Sequence, residues 1–306
     1  MSTTTAPQIP AAQTATDDDR PAVKAPKVRR RGERGPLGKA VAHGVLGIAS
    51  LIALFPIVWL VYLSFGPDKD DYLHPGGIAG KATLSNYSQV LQHTNFFQWM
   101  ESTLIIALGT TLVGVLFAAT TGYAVSRMRF PGYRPLMWVL LLTQAFPIAV
   151  LIVPMYEIFS ELGLIDTYQG VILVNCTTIV PYCTWLMKGY FDTVPIEIDE
   201  AGRIDGLSPF GTFWRLILPL AKPGIAVAAF YSFITAFAEV PFASTFLLDD
   251  SKYTFAVGLQ SFISEHDAQW NLMAATAVLI AIPVTAFFYL VQKHLVTGLT
   301  AGGTKG

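Results

Sequence analysis

The chain has 306 residues, 53% of them hydrophobic and 13% charged, with 20 Lys and Arg against 21 Asp and Glu. A soluble domain carries about 25% charged residues, so half that density with a mean hydropathy of +0.49 points to a lipid-embedded chain. The same figures exclude disorder, collagen, a coiled coil or a disulfide-stapled secreted domain as the class of the whole chain. The net charge of −1 gives no hint of nucleic-acid binding.

In chain order, residues 1–38 form a polar, basic arm rich in Thr, Ala and Pro, expected to be disordered. Six stretches nearly free of charge follow. Ala40–Pro67, Ser102–Ser126, Pro135–Tyr156, Thr167–Met187 and Ala268–Gln292 contain no Asp, Glu, Lys or Arg, and Pro223–Leu248 contains only Glu239. Each meets the roughly 20 apolar residues a bilayer-crossing helix needs. The first is read as a retained span, because its apolar run exceeds the h-region of a removable signal. The segments that alternate between these stretches hold 17 and 3 of the 20 basic residues. Basic residues collect on the cytoplasmic side, so the pattern predicts six spans with both termini cytoplasmic. The membrane domain is placed at 39–298 and a cytoplasmic tail at 299–306.

Five of the six stretches carry internal proline: Pro56, Pro147 with Pro154, Pro181, Pro241 and Pro283. Proline removes a backbone donor, and lipid tolerates the freed carbonyl where neighbours or a wet cavity satisfy it. Bent helices around a cavity suit a transporter, although proline is also common in membrane helices generally. In the second stretch Gly114, Ala118 and Gly122 form a small-residue seam for close helix packing. Cys176 and Cys183 lie seven residues apart in one predicted helix, roughly 10 Å and too far for a disulfide, and read as apolar fillers. Glu239 is the one acid deep in a span. It either lines a substrate path or supports the bend at Pro241. Gln144, Asn175, Thr177 and Thr178 are polar and mid-span, suited to a sugar hydroxyl or to helix–helix hydrogen bonds.

The segment Pro195–Pro223, which overlaps a coupling loop placed at about 190–222, is too polar to span. Pro195 suits a helix start and Glu197, Asp199 and Glu200 an acidic first turn. Gly206 fits a left-handed helix end, and Ser208-Pro209 an N-cap followed by a first-turn proline. Phe210, Phe213, Trp214 and Ile217 share one helical face, and Pro219 is expected to end that second helix. Two short helices about a glycine hinge predict a docking surface for another protein.

Glu200-Ala201-Gly202, three residues, Gly206, nine residues, and Leu216-Ile217-Leu218-Pro219 resemble the EAA loop of ABC-importer permease subunits. Gly202 stands where the pattern has its second alanine, and Leu216 where it has isoleucine. The resemblance implies an all-α, six-span type I permease fold whose EAA loop is a coupling helix seated in a cleft of an ATPase subunit. The residues implied in coupling are Glu200, Ala201, Gly202, Asp205, Gly206, Leu218 and Pro219. Glu239-Val240-Pro241, the stretch from Tyr253-Thr254 to Val257-Gly258-Leu259-Gln260, and Gly298–Gly303 resemble the MalG-type permeases of maltose/maltodextrin importers. That likeness implies import of maltodextrin-type oligosaccharides by alternating access in a bacterial cell membrane. The implied partners are a second, different permease subunit, two ATPase subunits and an extracytoplasmic sugar-binding protein. ATP and Mg would sit on the ATPase, and no cofactor or metal on this chain. Glu239, Gln144 and Asn175 are candidates for a substrate path. The outer loop at about Asp249–Gln269 is the candidate contact with the binding protein, through Gln260 and Phe262. The tail Gly302–Gly306 would reach the ATPase interface.

No G-x-x-x-x-G-K-[ST] phosphate loop and no HExxH occur, and the five histidines are scattered, so the chain is read as non-catalytic. Permeases for other sugars or for glycerol phosphate share the EAA loop. A proton-coupled secondary transporter using Glu239 is the rival outside the family.

Overall fold

The computed structural model describes residues 36–67, 82–128, 130–263 and 268–303. Residues 1–35 of the polar arm and the last three residues of the predicted tail lie outside these described residues, and residues 36–38 of the arm are helical, where disorder is expected. The chain falls into two compact units, Met1–Ala53 and Leu54–Gly306. The described part of the first unit is the leading portion of a helix, α1 (Pro36–Ser64), which runs through Pro56. Leu51, Ile52, Phe55 and Val58 along it are exposed, as suits side chains that face lipid or another chain.

Within the second unit, α2 (Ser85–His93) precedes the long helix α3 (Phe96–Arg127). Then come α4 (Tyr133–Thr143), α5 (Ile148–Glu161) and α6 (Tyr168–Phe191). The described residues contain no strand, only an isolated bridge between Ile263 and Ala268. Among the described residues four helices are long and apolar enough to cross a membrane, and up to six if each of two bent helix pairs counts as one span.

The third predicted stretch is one such pair: α4 and α5 meet at 104°. The break falls at Gln144–Pro147 because a residue before proline is driven out of helical geometry, and Pro147 itself is extended at ψ 129°. The other pair joins residues 209–220 to residues 222–237 at 82°, and the fifth stretch is itself interrupted. α10 (Lys222–Phe237) stops before Glu239 and a short α11 (Pro241–Phe246) starts after it. By contrast Pro154, Pro181 and Pro283 lie inside continuous helices. The last long helix (Trp270–Gly303) continues through residues 299–303, where a separate tail is predicted.

α3 and α6 pack along the predicted seam. A Cβ on Gly122 would lie 3.0 Å from the Met187 Cβ and the Lys188 amide nitrogen, and one on Gly114 3.4 Å from Ile179. Ala118 between them is buried. In lipid the drive for such contacts is close van der Waals packing, since apolar surface gains nothing by leaving hydrocarbon. α10 closes over this pair and brings Phe233, Ala228 and Ala236 into the same core as Tyr123, Met187 and Phe191. Cys176 and Cys183 are buried and free. At the opposite end of α3 a second core gathers Val90, Phe96, Trp99, Phe255, Phe262 and Leu272.

Candidate functional site

The coupling segment begins with α7 (Glu197–Ile204), whose first turn holds Glu197, Asp199 and Glu200 against the positive helix end. Its end is a Schellman turn. The Gly206 N–H donates to the Arg203 carbonyl at 3.0 Å and the Leu207 N–H to the Gly202 carbonyl at 2.9 Å. Gly206 supplies the left-handed conformation at φ +79°. The Ser208 hydroxyl accepts from the Gly211 N–H at 3.1 Å, with Pro209 in the first turn of α8 (Pro209–Thr212). Both features agree with the sequence reading.

The rest of the second helix differs from it. A π turn occupies Phe213–Ile217, with the Leu218 N–H donating to the Phe213 carbonyl, and α9 (Leu218–Leu220) continues past Pro219. The helix ends at Ala221 (φ −84°, ψ 5°). A proline inside a helix lacks its donor and crowds the preceding turn, and a wide π turn is one way a helix absorbs that misfit. The predicted apolar face divides accordingly. Phe213 and Ile217 are buried, whereas Phe210 is 69% and Trp214 40% exposed.

The docking candidates separate in the same way. Glu200, Ala201, Asp205, Gly206 and Pro219 are exposed, and Leu218 is half-buried. Gly202 is buried against the second helix, where an added Cβ would lie 2.8 Å from the Thr212 Oγ1 and 3.0 Å from the Leu216 Cδ1. An alanine at this position would require the Thr212 and Leu216 side chains to shift. Ile204, 87% exposed, stands beside the hinge, so acidic and apolar groups together form the outward face.

Sequence reasoning missed what fastens this segment to the spans. Asp199, read only as a first-turn acid, is buried. The Arg127 Nε lies 2.9 Å from its Oδ2 and the Tyr123 hydroxyl donates to its Oδ1 at 2.7 Å. Arg127 also donates through Nη2 to the Val194 carbonyl at 2.8 Å. Tyr123 and Arg127 are one helical turn apart at the end of α3, so both reach the same acid. That spacing was the one legible signal, because their partner lies more than seventy residues away.

Of the substrate-path candidates, the structure brings two to neighbouring turns. The Gln144 Nε2 donates to the Thr178 carbonyl at 3.0 Å, and the Thr178 hydroxyl donates to the Asn175 carbonyl. Gln144 lines a cavity of about 370 Å³ at the α4–α5 break with Thr143, Thr177, Thr178, Phe146 and Met155. Asn175 is buried, and its side chain makes no hydrogen bond among the described residues. Glu239 lies elsewhere. Its carboxylate accepts from the backbone N–H groups of Phe242 at 2.6 Å and Ala243 at 2.9 Å, capping α11 and occupying both oxygens.

Of the outer-loop pair, Gln260 is exposed. Phe262 is 6% exposed and edge-on to Trp99 at 6.2 Å, so its ring fills the core and offers a partner no surface. The start of the loop is held by Asp166, which adopts the left-handed conformation at φ +56°. Its Oδ1 accepts from the Leu248 and Asp249 N–H groups, and Lys252 donates to its Oδ2 at 2.5 Å and its carbonyl at 2.9 Å. Partial burial pushes the Asp166 carboxyl up, but the Lys252 and backbone hydrogen bonds outweigh it and hold the group below its ordinary value. The hydrogen bond to Asp166 pushes the Lys252 ammonium above its ordinary value.

Residues 111–300 match the family model described as the binding-protein-dependent transport system inner membrane component. The chain is 35% identical over 271 residues to the maltodextrin transport system permease protein MdxG of Bacillus subtilis (strain 168), covering 88% of this chain and 97% of that one. It is 34% identical over 266 residues to the galactooligosaccharides transport system permease protein GanQ of the same organism, covering 86% and 94%. With the maltose/maltodextrin transport system permease protein MalG of Salmonella typhimurium it shares 41% identity over 215 residues, covering 68% and 72%. Its fold matches a chain of a bacterial ABC transporter involved in import of the acidic polysaccharide alginate, at TM-score 0.72 and 23% identity, covering 84% and 96%. A six-span helical fold and a coupling segment of EAA spacing accompany these likenesses, and the chain belongs to the binding-protein-dependent inner membrane components, the non-catalytic permease subunits of type I ABC importers.

Proposed function

We propose that this chain is the MalG-type half of a heterodimeric permease that imports maltodextrin-type oligosaccharides into a bacterial cell. The observation that carries the coupling part is the outward face around Gly206. Glu200, Ala201 and Asp205 stand exposed on a hinge whose inner side is packed against α3. A basic group in an ATPase cleft would pair with Glu200, and Ile204 and Phe210 would fill its apolar wall. Two ATPase subunits, carrying ATP and Mg, engage this chain and a second permease on the cytoplasmic side, where both termini lie. ATP-driven closure displaces the coupling segments and turns the spans between inward-open and outward-open states. A liganded binding protein meets the outer loop near Gln260.

Maltodextrin is the substrate class favoured by the resemblance of the last two spans and by the MdxG and MalG likenesses. The cavity at Gln144 suits a sugar in having hydroxyl and amide groups beside apolar walls. Glu239 acts as scaffold, because a carboxylate spent on two backbone amides offers no base for proton coupling. The test is to purify the assembled complex and measure which sugars, with the binding protein, stimulate its ATPase. Stimulation by maltodextrins but not by galactooligosaccharides is expected. The reverse order refutes the substrate class, and uptake that needs no ATPase but collapses with the proton gradient refutes the mechanism. A bulky replacement of Gly206, which must hold φ +79°, should abolish uptake without preventing membrane insertion.

A further inference from the structure

Where α3 and α6 end and α4 begins, the structure forms an open polar pocket of about 670 Å³, apart from the exposed docking face around Gly206. Its cations are Arg127, Arg134 and Lys188, and its acids are Asp192 and Glu197. Arg127 is ion-paired with Asp199 and donates through Nη2 to the Val194 carbonyl. Lys188 pairs with Asp192, whose other oxygen accepts from the Ser126 hydroxyl. Arg134 differs. It has no ion pair among the described residues, donates only to the Tyr133 hydroxyl at 3.1 Å and holds its guanidinium 5.8 Å from the Tyr133 ring. With Asp192 already neutralised, a free guanidinium thus faces the cavity beside partly used donors on Arg127.

We propose that this cavity receives the phosphate of an anionic phospholipid headgroup. Three span ends converge there, at the end of the bundle that carries the basic excess, which is the headgroup level of the cytoplasmic leaflet. Arg binds a phosphate through paired N–H donors, tyrosine favours the same interfacial depth, and basic pockets between spans on this side are suited to anionic lipid headgroups. The volume suits a whole headgroup rather than a lone ion. Glu197 lies on the coupling-segment side, so the phosphate belongs on the opposite wall, at Arg134. The leaflet rests on the orientation given above, whereas the chemistry of the site does not.

The test uses the assembled transporter in nanodiscs of equal phosphatidylglycerol and phosphatidylcholine, released for native mass spectrometry as wild type and as Arg134→Gln. Wild type should retain phosphatidylglycerol in preference, and the variant should lose that preference by roughly tenfold, the equivalent of about 1.4 kcal/mol. Equal retention by both overturns the proposal. Independently of any variant, Lys188 should be acetylated more slowly in phosphatidylglycerol nanodiscs than in phosphatidylcholine alone, and equal rates overturn it. In phosphatidylcholine nanodiscs supplied with inorganic phosphate, phosphate adducts matching the phosphatidylglycerol occupancy would assign the site to a soluble anion and overturn the lipid reading. A wild-type complex that no sugar stimulates bears on the permease reading alone and leaves these measurements standing.

Discussion

Replacing both members of the Arg127–Asp199 pair should destabilise the chain by clearly less than the two single replacements added together. The two side chains are 10% and 6% exposed and 2.9 Å apart. Removing one partner from such a buried pair costs about 3–5 kcal/mol, because the survivor is a charge left without water or a counter-ion. Exchanging both for apolar groups of similar volume is often near neutral. Asp199→Leu also strands the Tyr123 hydroxyl, which donates to that carboxylate at 2.7 Å, adding about 1–3 kcal/mol. Arg127→Met and Asp199→Leu should therefore each cost several kcal/mol, and the double variant should regain at least about 2 kcal/mol against their sum. Thermal unfolding of the purified complex, followed by loss of the monodisperse peak in size-exclusion chromatography, reads this as a lowered midpoint. About 2–4 °C accompanies each kcal/mol in a domain near this size. If the three variants fall within about 1 kcal/mol of wild type, or if the singles simply add, the pair is not the fastening described here. The functional counterpart is coupling: the double variant should fold yet show weaker sugar-stimulated ATPase, since a flexible apolar contact replaces a directional one between α3 and α7.

Three further predictions follow from the geometry. Gly202→Ala, which restores the alanine of the EAA pattern, should cost about 1–3 kcal/mol by overpacking against Thr212 and Leu216. Adding Thr212→Ala should recover most of that in the same unfolding assay, and a neutral single variant would contradict the close approach. Glu239→Gln should leave transport unchanged across pH, while Glu239→Ala loses the α11 cap at about 1–2 kcal/mol; pH-dependent loss of uptake in Glu239→Gln would return the carboxylate to the substrate path. The Asp166–Lys252 clasp has a worked pH dependence. Its aspartate is depressed when folded, so that contribution is present above the ordinary carboxylate value and is lost as pH falls through the lower folded value. Its lysine is raised, so that contribution is full below the ordinary lysine value and is lost as pH rises through the folded one. Hydrogen exchange, corrected for its intrinsic pH dependence, should show the Leu248 and Asp249 amides protected between those limits and exposed in Asp166→Asn. Unchanged protection in that variant would refute the clasp.

Hydropathy, charge placement and backbone punctuation were legible in the residue order because each acts within a few positions. The six apolar stretches, the seam at Gly114, Ala118 and Gly122, the left-handed turn at Gly206 and the cap at Ser208 all depend on local spacing. Whether a proline breaks its helix was not legible. Pro147 and Pro241 do, whereas Pro154, Pro181 and Pro283 do not, and at Pro219 a π turn carries the helix on to Leu220. The outcome turns on whether neighbouring groups satisfy the freed backbone, as the Glu239 carboxylate does at the start of α11. That Gly202 packs tightly on Thr212 is visible only in the tertiary structure. Phe262 looked like surface until Trp99 covered it.

The sequence by itself determined the membrane class, the alternation of charge across the spans and the coupling motif, since composition and short-range spacing encode all three. The tertiary structure alone decided that Asp199 anchors to Arg127 and Tyr123, that Asp166 holds the outer loop, and that Arg134 is left facing a cavity. Those outcomes depend on which side chains meet across many intervening residues, and each is settled by burial and pairing that no local pattern specifies.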